Sequence, residues 1–234
     1  MHLRVAVENN LEGRSMIWAL EHPGCFVYGA NQHQALHALP AALDEYAAWI
    51  SRYEPKPWFE LGPHTYHVEE TWQTYLVDAH FELVEKGGYE VESWFLNDWK
   101  PLTEKEVERG LKMLGWSRLE LLLAAEHLSP QTLDRTYKGE RWSIRGILKH
   151  VANADWWYMD RLGMAPPREQ LPEDVFERLE FVRRLLNQAL PGLVGVNKVL
   201  GIDAEFWSPR KLLRRSLWHE RDHHTHIRKL LAKR

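Results

Sequence analysis

The chain has 234 residues, 44% hydrophobic and 27% charged, with twelve tryptophans and a formal net charge of −3. That composition supplies a buried core and excludes a disordered chain, and the small negative charge excludes a global electrostatic pull toward nucleic acid or acidic membranes. A lone cysteine, Cys25, rules out an internal disulfide, no apolar run reaches the roughly 18 residues of a membrane helix, and the opening "MHLRVAVENN" lacks a basic stretch followed by an apolar one, so a cytoplasmic protein without a signal peptide is expected.

In chain order, "HLRVAV" and "SMIWALE" read as strands joined by the turn residues "NNLEG", and "PGCFVYG" as a third strand bracketed by glycines. "ANQHQALHALPAALDEYAAWI" has helical spacing, with Asn31 as cap and Gln34 three residues on. Pro40 falls inside that pattern and is expected to kink or restart the helix. "TYHVEETWQTYLV" and "YEVESWF" read as further extended segments, with "EKGGYE" as a turn.

From about residue 100 the period becomes helical. Thr103 and Glu106 form a capping box ahead of Val107, Leu111, Leu114, Leu121, Leu122 and Ala125. "SPQTLDRTYKGE" reads as a connection. Ser143 caps a second helix that buries Ile144, Ile147, Leu148, Val151, Tyr158 and Leu162, and Gly163 ends it. A third carries Val175, Leu179, Val182, Leu186 and Ala189, closed by Pro191. Ser208 and Pro209 open a fourth, with Leu212, Ser216, Ile227 and Leu230 on one stripe. The expected architecture is α+β: a small sheet-plus-helix domain over residues 1–100, then a four-helix bundle over 101–234, with "NDWKPL" at the boundary. The tripeptides "WSR", "WSI" and "WSP" recur without a fixed period and are not read as a repeat.

The last helix contains "HERDH", which spells H-E-x-x-H, the letters of a zinc peptidase helix. His219 and His223 lie within about 40° of Leu212 and Leu230 on a helical projection, so both face inward, and His226 lies close by. At that spacing two imidazoles can share one metal ion. A peptidase of this type needs a third ligand downstream. Six residues past His223 stands Lys229, and eleven residues follow His223 in all, so the third ligand is expected upstream, at His150 in "GILKHVANADWW". On this reading Glu220 is an accident of composition. Trp156, Trp157 and Tyr158 read as core or interface, or as walls of a substrate pocket.

"LLLAAEHLSPQTLDRTYKGERWSIRGILKHVANADWW" resembles the first half of the DinB-like metal-binding bundles, through Trp142, Ser143, Arg145, His150 and Asp155. The family's closing His-x3-His with an aliphatic residue four on is matched by His219, His223 and Ile227. His226 stands where a Gln is common. The resemblance covers about residues 103–234. It implies an up-down-down-up four-helix bundle with a divalent metal, zinc or nickel or else iron, on His150, His219 and His223. It also implies a small-molecule substrate, transferase or isomerase chemistry with a low-molecular-weight thiol in some members, and a homodimer. "HPGCFVYGANQHQALHALPAALDEYAAWI" is similar to the HicB-like antitoxin domain through Pro23, Gly24, Cys25, Gly29 and Asn31, over about residues 1–76, with Pro40 a departure. No DNA-binding tail follows, so nucleic acid is not an expected partner.

The functional expectation is a divalent-metal-dependent enzyme, a thiol-dependent transferase or related hydrolase. Asp155 is its candidate catalytic residue, orienting an imidazole or accepting a proton. Its ordinary alternative is a surface carboxylate near Arg or Lys. The alternative function is a non-catalytic metal-binding or regulatory protein that contacts a partner through the sheet domain. In that case His226 closes a four-ligand structural site.

Overall fold

The first three strands follow from their composition. β1 (His2–Leu11) and β2 (Arg14–Ala19) are rich in apolar and β-branched residues and pair antiparallel. Their turn is built from residues that accept a left-handed backbone, Asn10, Glu12 and Gly13 at φ of 63°, 48° and 73°. β3 (Phe26–Gly29) adds to the outer edge of β2. A Cβ on Gly29 would collide with the backbone of Gln34 and Ala35, so only glycine admits the helix that follows at this distance. That helix, α1 (Gln32–Tyr53), starts where Asn31 Oδ1 accepts from Gln34 N at 3.0 Å, and Gln34 Oε1 reaches back to Ala30 N. It buries Ala35, Leu39, Leu43, Tyr46 and Ile50, a stripe of period three to four.

Of the two expected outcomes at Pro40, the restart does not occur: α1 runs through it. Proline removes the N–H that would have bonded the carbonyl four residues back, at Leu36. The Tyr66 hydroxyl donates to that carbonyl at 3.4 Å, so the orphaned acceptor is supplied from β4 (Thr65–Gln73). β4 lies parallel to β1 and completes a sheet of order β3-β2-β1-β4. A second sheet, order β6-β5-β7, comprises β5 (Tyr75–Val77), β6 (Leu83–Val84) and β7 (Tyr89–Val91).

The structure, a computed structural model, describes residues 1–233 and divides into two compact units. The first is residues 1–100 with 197–211, the second 101–196 with 212–234. Residues 197–211 bring a hairpin to the first unit, β8 (Leu200–Ile202) and β9 (Glu205–Trp207), turned by Asp203 and Ala204 at positive φ. Sequence reading misses it because neither turn residue is a glycine or an asparagine. Glu205 accepts from Lys211 Nζ at 2.5 Å and from the Tyr89 hydroxyl at 3.1 Å.

The second unit is helical: α2 (Glu104–Ala125), the one-turn α3 (Pro130–Leu133), α4 (Ile144–Asp160), α5 (Val175–Ala189) and α6 (Pro209–Ala232). The Thr103–Glu106 capping box is present, and Ser143 and Ser208 cap α4 and α6 through Gly146 N and Lys211 N. α4 ends in a Schellman motif: Gly163 N bonds Asp160 O and Met164 N bonds Met159 O, with Gly163 at φ 71°. α3 lies inside the expected connection, started by Ser129 and Pro130. The anticipated stripes are buried, except that Leu111, Leu122 and Ala189 are half-exposed. Among the described residues no helix is long and apolar enough to cross a membrane.

One polar group holds the first unit's core. Glu8, on the central strand β1, is fully buried and accepts from Trp18 Nε1 at 2.9 Å, Ser93 N and Oγ at 2.8 Å, and Thr74 Oγ1 at 3.3 Å. Glu8→Ala strands these donors without solvent. It should lower the unfolding free energy of this unit by roughly 3 kcal/mol. Urea unfolding followed by tryptophan fluorescence measures it, and an unchanged midpoint would contradict the assignment.

Candidate metal centre

The caps decide where the histidines fall. Ser143 starts α4 so that His150 sits two turns in, at the edge of the stripe formed by Ile147, Leu148 and Val151. Ser208 starts α6 so that His219 and His223 stand one above the other, one turn apart. The structure brings all three together. His219 Nε2 lies 2.9 Å from His150 Nε2 and 3.2 Å from His223 Nε2, and the three ligand atoms all lie within 4.8 Å of one another. The rings meet edge to face, with interplanar angles of 62°, 78° and 90°. Imidazoles bound to one tetrahedral ion at metal–nitrogen distances of about 2.0–2.1 Å have nitrogens about 3.3 Å apart. The observed spacing fits a divalent cation.

The surroundings orient the imidazoles and hold His219 and His223 neutral. Trp142 stacks on the His150 ring at 4.4 Å, Tyr158 meets His219 edge to face, and Trp218 packs against it at a tilt. Burial, then the neighbouring His223 and His150 and Arg215, hold His219 well below the usual histidine range. Burial, with His150 and His226, lowers His223 to about 3. Near neutral pH these nitrogens carry lone pairs rather than protons, as ligands must. His226 lies outside the cluster: its Nε2 is 2.8 Å from Glu140 Oε2, and Lys233 Nζ holds the other Glu140 oxygen at 3.0 Å. Lys233 and then His226 keep the Glu140 carboxyl below its usual range.

Two expectations need correction. Asp155 stands beside arginines, as its ordinary alternative expected, but not on the surface. It is buried, and Oδ2 accepts from Arg183 Nη2 at 2.9 Å and Arg118 Nη2 at 3.2 Å. Glu220 is no accident of composition. It is fully buried, and Oε2 accepts from Arg183 Nη2 at 2.5 Å and from Arg118 Nη2 and Nε at 2.7 and 3.1 Å. Burial raises the Glu220 pKa, but the two guanidinium groups outweigh it and hold the carboxyl below its ordinary value. In a peptidase H-E-x-x-H helix the glutamate serves as base toward a water; here both arginines occupy it, and the peptidase reading of the string fails on chemistry.

Each of the four long helices contributes one charge: Arg118 from α2, Asp155 from α4, Arg183 from α5 and Glu220 from α6. The arginines are also reciprocal. Arg118 Nη1 donates to the carbonyl of Leu179, four residues before Arg183, and Arg183 Nη1 to the carbonyl of Leu114, four residues before Arg118. Sequence reading passes over both arginines. A usable signal is their inward position: Arg118 follows Leu114 by one turn, and Arg183 sits between Val182 and Leu186 on the buried side of α5.

Comparison with known proteins covers the helical half. Residues 113–227 match the family described as "DinB superfamily", and the matched span contains the three histidines and all four buried charges. Among solved structures, the chain is similar to one described as "YfiT from Bacillus subtilis is a probable metal-dependent hydrolase with an unusual four-helix bundle topology". That match has 16% identity and a TM-score of 0.47, and covers 61% of this chain and 93% of that one. No curated protein matches. The HicB-like resemblance of the N-terminal segment gains no support from these comparisons.

Two consequences follow for stability. Because His219 and His223 titrate lower folded than unfolded, the unfolded chain takes up protons that the folded one refuses. Their contribution is complete above the ordinary value of 6.5 and is lost as pH falls from there toward 3. Thermal melts of metal-free protein should therefore show a falling Tm across that window. His223→Leu should flatten the fall, and an identical slope in that variant would contradict the assignment. Separately, Glu220→Ala leaves two buried guanidinium groups facing one carboxylate and should cost roughly 3–5 kcal/mol. Denaturant titration reads this, and a near-neutral result would refute the ion cluster.

Proposed function

We propose that the helical unit is a metal-dependent enzyme in which His150, His219 and His223 hold one divalent cation. Zinc or nickel is the expected ion, with iron the alternative. The substrate is a small molecule, and the reaction is either hydrolysis or transfer involving a low-molecular-weight thiol. The observation that carries this reading is the convergence of three imidazole nitrogens, with His219 Nε2 2.9 Å from His150 Nε2 and 3.2 Å from His223 Nε2, close to the spacing around a tetrahedral ion.

Bound there, a cation with protein ligands on only three positions supplies a Lewis acid that makes a water or thiol beside it a better nucleophile near neutral pH. The chain's own residues do the rest. Trp142 fixes the plane of His150, and Tyr158 and Trp218 shield His219 from water. His226 is engaged by Glu140, which favours an open site over a closed four-histidine one. Asp155 and Glu220 neutralise arginines and are not assigned a proton-transfer role.

The test is elemental analysis of protein purified without a histidine tag, followed by assays against ester, amide and thiol-transfer substrates. Stoichiometric divalent metal is expected in the parent chain, and its loss in His150→Ala, His219→Ala and His223→Ala with helix content retained. Metal kept at full stoichiometry in one variant removes that residue from the ligand set. Metal without turnover in any assay favours the non-catalytic alternative.

A further inference from the structure

Apolar stripes bring helices together but discriminate weakly between neighbouring registers, because one leucine substitutes for another at modest loss. A metal centre shared by two helices tolerates no such freedom. We propose that Arg118, Asp155, Arg183 and Glu220 form a register lock that presets the metal centre: they are positioning residues, which fix where the imidazoles of α4 and α6 meet. The proposal rests on the reading of the three histidines as ligands of one ion.

The connectivity supports it. Glu220 directly follows His219, and Asp155 lies five residues after His150 on the other ligand-bearing helix. Both carboxylates are held by the same two arginines, one on α2 and one on α5. α4 and α6 are thereby tied through a common pair of guanidinium groups. A slide of α6 by one residue moves its side chains by about 1.5 Å along the axis and turns them by about 100°. That would break bonds of 2.5–3.1 Å at Glu220 and leave the buried arginines short of a counter-ion. It would also separate nitrogens that now lie 2.9 Å apart on His150 and His219.

The lock has a signature that a purely stabilising cluster lacks. Buried ion groups replaced together by apolar residues of similar volume often leave stability unchanged or raised, while a buried polar group can still be what specifies register. Stability and metal affinity should therefore separate. The full chain carrying Arg118→Met, Asp155→Leu, Arg183→Met and Glu220→Leu is compared with the parent. Three readouts are taken: thermal melting, Co²⁺ affinity from visible absorption, and long-range ¹H–¹⁵N imidazole spectra of the metal-free protein. We expect helix content and Tm to hold or rise, Co²⁺ to bind 10- to 100-fold more weakly, and the three imidazoles to give multiple or averaged signals. Parental Co²⁺ affinity with one sharp set of imidazole signals would overturn the lock. If the fourfold variant does not fold, Glu220→Gln and Asp155→Asn are read the same way, weakened affinity supporting the proposal and unchanged affinity overturning it. If the parent chain itself takes up no Co²⁺, the ligand reading fails, and the metal-free imidazole spectra still decide the lock.

Discussion

Two guanidinium groups and two carboxylates, sealed inside the helical unit, constrain everything else about it. Moving even one such charge out of water costs several kcal/mol, and the cost is offset only when every member finds its partners. Here the partners come from four different helices, α2, α4, α5 and α6, and each arginine also caps a carbonyl on the other arginine's helix. The cluster is neutral as a whole, so it adds no net charge beside the histidines. It admits few alternative packings, because any of the four helices that shifts leaves an ion without a counter-ion.

The metal centre stands on that frame. His219 is the residue next to Glu220, and His150 shares its helix with Asp155, so the charges and the ligands are positioned by the same two elements. Aromatic rings then close the remaining freedom: Trp142 stacks on His150, Tyr158 meets His219 edge-on, and Trp218 packs against His219 at a tilt. Burial keeps the His219 and His223 imidazoles unprotonated, which would be a liability without a cation and is a requirement with one. On the proposed reading the string HERDH divides into two jobs, histidines for coordination and glutamate for the ion cluster. Its likeness to a peptidase helix is one of spelling.

Much of this was legible in the chain, for reasons that are local. Caps such as Thr103, Ser143 and Ser208 act through hydrogen bonds to residues three positions away, and the helical stripes repeat at a fixed period, so both can be read without tertiary information. The inward placement of His219 and His223 follows from the same periodicity. What was not legible depends on contacts distant in sequence. Pro40 signals a break until Tyr66, twenty-six residues on, supplies a donor to Leu36. Arg118 and Arg183 look like ordinary solvated residues until Asp155 and Glu220 arrive from other helices, and for the same reason Glu220 looks incidental. The hairpin at 200–207 turns on Asp203 and Ala204, residues with no strong turn signal between them.

The central claim is that three imidazoles from two helices enclose one cation and leave part of its coordination sphere to a guest. Anomalous diffraction from crystals of metal-loaded protein, collected on both sides of the metal's absorption edge, addresses it most directly. The account predicts a single peak about 2.0–2.1 Å from the Nε2 atoms of His150, His219 and His223, with non-protein density completing the sphere. A peak elsewhere, or a sphere closed by His226 as a fourth protein ligand, would contradict it.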